Sequence, residues 1–155
     1  MTVLIQSYNV LAPATDNFVE IKAPILDENE VAIIRNASMN VPLQAIDGLV
    51  VGQYASVFFQ LQYEDSSIPG FDDSRVVGRV EYFPDLGFPV GANVTEAMGG
   101  IREIQLKPDM PIKGLFLASR PVLYGPFECY IFIEYDVVRM SETERAQFTV
   151  STGVL

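Results

Sequence analysis

At 155 residues and 17.2 kDa the chain has the size of one domain, and its 49% hydrophobic content excludes disorder as the main state. Its formal net charge is −10, with 20 acidic against 10 basic residues. That leaves no basic stripe to displace counterions from phosphate, which argues against direct nucleic-acid binding and against anionic membranes.

No apolar run reaches the roughly 20 residues of a membrane-spanning helix, so no membrane insertion is expected. The N-terminal Met1-Thr2-Val3-Leu4-Ile5-Gln6 lacks the basic start and small-residue cleavage site of a signal peptide. Synthesis in a host cytoplasm is therefore expected. The single cysteine, Cys129, permits no intrachain disulfide, and its parity with Ile131 and Ile133 reads as a small buried hydrophobe.

Residues 3–10 read as a first strand, broken by Pro13. A second strand, 18–23, sets Val19, Ile21 and Ala23 against Glu20 and Lys22. After an acidic turn, a third strand at 31–40 carries Val31, Ile33, Ala37 and Met39 on one face. Arg35 interrupts that parity, which predicts either a bulge or an edge-paired arginine. Residues 40–54 read as a connection containing Pro42, with room for a short strand.

The strand at 55–63 alternates most cleanly. Ala55, Val57, Phe59, Leu61 and Tyr63 point inward; Ser56, Gln60, Gln62 and Glu64 point outward, with Phe58 as the outward exception. A turn-rich loop follows through Pro69-Gly70. The fifth strand spans 75–83, and residues 84–100 read as the longest irregular segment. A sixth strand at 101–106 and a seventh at 114–119 precede a turn at 121–127 and an eighth strand at 128–138. In that last strand Cys129, Ile131, Ile133, Tyr135 and Val137 oppose Glu128, Tyr130, Phe132, Glu134 and Asp136.

About eight strands, Pro/Gly turns and almost no helical period before residue 141 predict an all-β antiparallel sandwich of jelly-roll type, closed by a short C-terminal helix. The division expected is a sandwich over residues 1–140, with the helix and tail of 141–155 belonging to the same domain. Ser141 and Glu144 have the spacing of a capping box, in which each satisfies a backbone N–H of the first turn. The helix is expected over 142–148, and at that length it needs a docking partner. The tail from 149 onward could form a further strand or an exchanged arm.

Catalytic equipment is missing. The chain has no histidine, which removes the usual general base, the Ser-His and Cys-His pairs and imidazole metal sites. It has no glycine-rich phosphate loop or nucleophile elbow. No catalytic residue and no cofactor are assigned. Paired carboxylates could still serve an acidic hydrolase, but there is no tryptophan to wall a sugar cleft.

Calcium is the better ligand candidate. Asp27, Glu28 and Glu30 share one turn, and Glu64, Asp65, Asp72 and Asp73 flank another loop. Neither has the ordered spacing of a calcium loop, so solvated turns are the simpler account. Asn36-Ala37-Ser38 and Asn93-Val94-Thr95 match the glycosylation acceptor pattern, which is incidental without export.

Apolar residues at polar positions are more informative. Phe58, Tyr130 and Phe132 lie on outward parity, and the 84–100 segment carries Leu86, Phe88, Val90, Val94 and Met98. They are covered either by the chain's own loops or by neighbouring subunits.

Eight strands, long apolar loops and no catalytic equipment resemble the single jelly-roll proteins that build virus particles, over residues 3–138. The ending Glu134-Tyr135-Asp136-Val137-Val138-Arg139-Met140-Ser141-Glu142-Thr143-Glu144-Arg145 is similar to the strand-then-acidic-helix close of small virion proteins from tailless phages. The resemblance implies a non-enzymatic capsid, vertex or decoration component located in the virion. It also implies a homo-oligomer whose partners are other copies of itself and other virion proteins. Its contacts are expected at Phe58, Leu86, Phe88, Val90, Tyr130, Phe132 and Phe148.

Nothing basic precedes Lys22, whereas many jelly-roll coat proteins begin with a basic arm that neutralises the genome. That departure favours a place against a membrane or another protein layer, or on the outer surface. The alternative is a soluble β-sandwich module that binds carbohydrate or peptide through a concave aromatic or acidic site.

Overall fold

The computed structural model describes residues 2–10, 15–49, 56–82, 94–122 and 127–152. Among them are nine strands and one helix: β1 (Thr2–Val10), β2 (Asn17–Glu20), β3 (Glu30–Leu49), β4 (Ser56–Gln62), β5 (Val76–Tyr82), β6 (Val94–Glu103), β7 (Gln105–Leu106), β8 (Phe116–Val122), β9 (Phe127–Arg139) and α1 (Glu142–Thr152).

The strands form two antiparallel sheets, one ordered β1-β9-β3-β6 and the other β2-β8-β4-β5-β7. The pairings nest. β4 pairs β5, β3 pairs β6, β2 pairs β8 and β1 pairs β9. Successive ladders alternate between the two sheets, so the chain is one long hairpin coiled upon itself. That is the topology of a jelly roll, with β7 as a two-residue addition at an edge.

The core lies between the sheets. Strand alternation delivers Tyr8, Val10, Met39, Cys129, Ile131 and Ile133 from one side, and Val57, Phe59, Leu61, Tyr82 and Leu117 from the other. Each such large apolar side chain contributes about 1.5–3 kcal/mol of transfer free energy when fully buried. Cys129 is fully buried, as its parity predicts.

Several boundaries differ from expectation. β3 runs straight through Pro42 to Leu49, where a connection is expected from the proline and glycines. Proline is tolerated because the ladder with β6 shifts register between Val41 and Gln44, so no strand hydrogen bond is demanded there. Opposite that bulge Gly99 and Gly100 have φ values of 142° and 98°, a backbone that glycine adopts most readily.

The expected irregular segment 84–100 is therefore partly strand, and β6 occupies 94–103. The expected sixth strand at 101–106 is in fact two pieces. Ile104 is the crossing point: its N–H donates to the Ala37 carbonyl (2.8 Å) in one sheet, and β7 then pairs β5 in the other. β8 likewise carries Pro121, where a turn is expected.

Arg35 sits where β3 slips register against β9, between Ile34 and Asn36. The bulge reading holds and the arginine is paired, but on an interior strand rather than at an edge: its guanidinium reaches Asp136 (2.9 Å) and Asp109 (2.8 Å). Beside the bulge, residues 110–112 continue the sheet edge that β6 covers further along. The Ile34 N–H donates to Met110 O and the Ile112 N–H to Ala32 O, each at 2.9 Å.

α1 extends beyond the expected 142–148 to Thr152. Its capping box forms as predicted: the Ser141 N–H donates to the Glu144 carboxylate (2.7 Å), and the Glu144 N–H donates to Ser141 Oγ (3.3 Å). Residues 149–152 are therefore helix rather than an added strand. No helix among the described residues is long and apolar enough to cross a membrane.

Candidate functional site: two unlike outer faces

The two sheets present unlike outer faces. On the five-stranded sheet the outward positions of β4 are covered by the chain itself. Gln60 and Gln62 have outward parity, yet both are completely buried. The 63–75 loop folds over them, and their side-chain amides hold it. Gln60 Nε2 donates to Pro69 O (2.8 Å) and to Gln62 Oε1 (2.8 Å), while Gln62 Nε2 donates to Glu64 O and Ser67 O (2.7 Å each). The expectation that these glutamines face solvent is corrected by that cover.

The loop is closed by charge. The Arg75 guanidinium bridges Glu64 and Asp73 at 2.9 Å each, and Lys107 Nζ donates to Asp73 O (2.7 Å). The Arg75 hydrogen bonds hold the Asp73 carboxyl down at about 2.

Phe58 shares this outer face. Arg79 lies 4.3 Å from its ring centroid and Arg120 5.8 Å from it. Arg120 is fixed in turn by Asp16, at 2.9 Å through its second nitrogen, and Arg79 by Glu81 at 2.7 Å. Phe58 is half-buried beneath these cations, so much of its apolar ring is satisfied within the chain.

The four-stranded sheet differs. Its cross-strand rows place Ile5 beside Phe132 and Ser38, then Ser7 beside Tyr130, Asn40 and Ile101, and Val3 beside Glu134 and Asn36. Val3 is 51% exposed, Ile5 61%, Ile101 72% and Tyr130 42%, with Phe132 half-buried among them. Val3, Asn36, Ser38, Ile101, Phe132 and Glu134 line a shallow depression of ≈ 260 Å³. No described loop crosses this face.

The face is also acidic. Glu103 lies opposite Ser38, Glu134 opposite Val3, and Glu128 opposite Asn9; none of the three has an ion-pair partner among the described residues. Glu128 also raises the pKa of the neighbouring Tyr130 hydroxyl by accepting its hydrogen bond.

Of the seven residues expected at contacts, the structure places Tyr130 and Phe132 together on the open face and Phe58 on the opposite, covered one. Phe148 lies on α1 and is half-buried. Leu86, Phe88 and Val90 lie outside the described residues. The open face includes three residues that sequence reasoning missed: Val3, Ile5 and Ile101. The parity of β1 carried the signal for two of them, since Val3 and Ile5 alternate against Tyr8 and Val10.

The acidic turns do not converge. Among the described residues no three Asp, Glu or Cys side chains come together as a metal site. Glu30 accepts from the Asp27 N–H (3.3 Å) and faces Arg139 at 3.8 Å. Asp73 and Glu64 are engaged by Arg75, whereas Asp65 and Asp72 are exposed. Asp27, Glu28 and Glu30 instead line a depression of ≈ 360 Å³ with Leu26, Lys113 and Arg145. Cys129 is no nucleophile, because burial pushes its thiol up to about 12.

No protein-family model, curated protein or solved structure matches the chain.

Proposed function

We propose that the protein is a non-enzymatic structural component of a virus particle, in a capsid, vertex or decoration position. It assembles with other copies of itself and with other particle proteins through outward apolar strand faces and loops. The observation that carries this reading is the contrast between the two walls. One wall is covered over β4 by its own loop and arginines, while the other leaves Val3, Ile5, Tyr130 and Ile101 exposed on one face. Contiguous exposed apolar surface on a rigid sheet marks a contact site.

The nested strand order supports the same reading, because jelly rolls recur in capsid proteins, although they also serve lectins and cupins. The absence of histidine and the burial of the only cysteine support a role without chemistry. Light scattering and electron microscopy of the protein, alone and with its co-assembling proteins, test the reading. A particle or stable oligomer is the expected result. A strict monomer at high concentration that enters no complex overturns it.

The depression beside Leu26, Lys113 and Arg145 favours a second reading, a monomeric module that binds carbohydrate or peptide. Saturable ligand binding by a stable monomer would select it.

A further inference from the structure

We infer that the outer face of the four-stranded sheet docks a different protein, one whose contact surface is apolar and bordered by lysine or arginine, rather than a second copy of this chain. The inference rests on the assembly role proposed above and names the partner of one face.

Apolar side chains Val3, Ile5, Phe132 and Tyr130 lie on adjacent rows of β1 and β9, with Ile101 on β6 beyond Ser38 and Asn40 of β3. Carboxylates surround these side chains. Glu103, Glu128 and Glu134 point from the same face without counter-charge.

All ten lysines and arginines of the chain fall on described residues. Only three lie on these four strands: Arg35, Arg102 and Arg139. Arg35 is the cation that reaches the outer face, and it is already shared between Asp109 and Asp136. Arg102 turns away, with its guanidinium 4.7 Å from the Tyr82 ring centroid and donating to Glu81 O (2.7 Å) in the other sheet. Arg139 sits at the far end of β9 beside Glu30.

Two copies meeting face to face through this sheet would bury carboxylate against carboxylate with no free cation on the four strands to answer them. Like charges desolvated together at an interface oppose association, whereas complementary potentials steer it and fix its register. An anionic lipid surface is refused on the same ground. A protein that offers apolar side chains between lysines or arginines satisfies both halves of the face.

The test uses the whole protein and two synthetic peptides, one alternating leucine with lysine and one alternating leucine with glutamate, read by NMR titration. The lysine peptide is expected to bind saturably, with shifts centred on Val3, Ile5, Ile101 and Phe132, and the glutamate peptide is not. The double change Glu103→Gln/Glu134→Gln should weaken the lysine peptide by about tenfold. Asp65→Asn/Asp72→Asn removes the same charge from the opposite, loop-covered side and should leave binding unchanged.

Equal binding of both peptides, shifts centred elsewhere, or equal loss in the two double variants would overturn the inference. So would a dimer in sedimentation that Ile5→Lys disperses, since that would make a second copy the occupant. Failure of the peptide arm while particles still form removes only this partner. Peptide binding at this face by a protein that enters no assembly removes the assembly role instead.

Discussion

Tyr8 and Ser119 hydrogen-bond at 2.9 Å through the buried interior, joining β1 of one sheet to β8 of the other. Tyr82 makes the converse bridge. From the five-stranded sheet its hydroxyl donates to the Met39 carbonyl (2.7 Å) and to the Gly100 carbonyl (3.1 Å) in the four-stranded one. Phe59 lies between the two tyrosines, edge-on to each, with centroids 6.1 and 5.9 Å apart. Two polar pins and an aromatic bridge therefore fix how the sheets sit on one another, which a purely apolar core specifies less tightly.

Removing either half of the first pin leaves the other buried and unpaired. Tyr8→Phe and Ser119→Ala are each expected to cost about 1–3 kcal/mol, the range for an orphaned buried hydroxyl. The double variant should cost clearly less than the two summed, because no orphan remains. Urea unfolding of the four proteins measures the cycle, and strict additivity would mean the bond contributes nothing.

Gly78 is the position where the crossing between sheets is tightest. A Cβ there would stand 2.7 Å from Gln105 O and from Leu106 Cδ2, and 2.9 Å from Ile104 Cγ2. One of those atoms is backbone, so the neighbour cannot rotate away. Gly78→Ala should therefore destabilise by about 1–3 kcal/mol, as overpacking does. It should also expose the 104–106 amides to faster hydrogen exchange while the β1–β9 ladder keeps its protection.

The alternation of β9 and β4 is enough to read a sandwich, because each turns an apolar face to the core and the period shows directly. Three kinds of feature were not legible. Gln60 and Gln62 have ordinary outward parity, and only the return of the 63–75 loop buries them; a contact between segments leaves no local pattern. β3 continues through Pro42 because the partner strand supplies two glycines opposite, so the local breaker signal was overruled by pairing. In the open face, Tyr130 and Phe132 stood out by parity. Ile101 joined them only through its register opposite Asn40, which no single-strand pattern encodes.

Stability should fall on the alkaline side rather than near neutrality. With no histidine, no side chain of an unperturbed chain titrates near pH 7. Burial raises the Cys129 thiol and the Tyr82 hydroxyl to about 12 each, and raises Tyr8 and Tyr63 as well. The unfolded chain loses these protons at about 8.5 for the thiol and about 10 for the phenols. The native state then holds more protons than the unfolded state, so unfolding becomes easier as pH rises. The contribution of these groups is intact below about pH 8.5 and should drain away between there and pH 12. Cys129→Ala should flatten the first part of that slope, between about pH 8.5 and 10. Urea midpoints measured at half-unit pH steps give the comparison, and an unchanged slope in the variant would assign the loss to other groups.

The cap of α1 can be separated from the sandwich. Ser141 and Glu144 satisfy each other's backbone N–H at the start of a helix whose side chains are mostly exposed; Val150, for example, is 86% exposed. Eleven residues without extensive packing are marginal as an isolated helix in water. Such a helix depends on its first turn to a degree that a packed one does not. Ser141→Ala should therefore speed amide exchange throughout 142–152 and lower the helical signal in circular dichroism. The thermal midpoint of the sandwich, followed by the near-ultraviolet signal of its buried tyrosines, should stay where it is. If that midpoint falls together with the helical signal, α1 is coupled to the sheets more strongly than its exposure implies. Adding a co-assembling protein makes the test sharper. Recovery of exchange protection in the Ser141→Ala helix on complex formation would identify α1 as a second contact, distinct from the open sheet face.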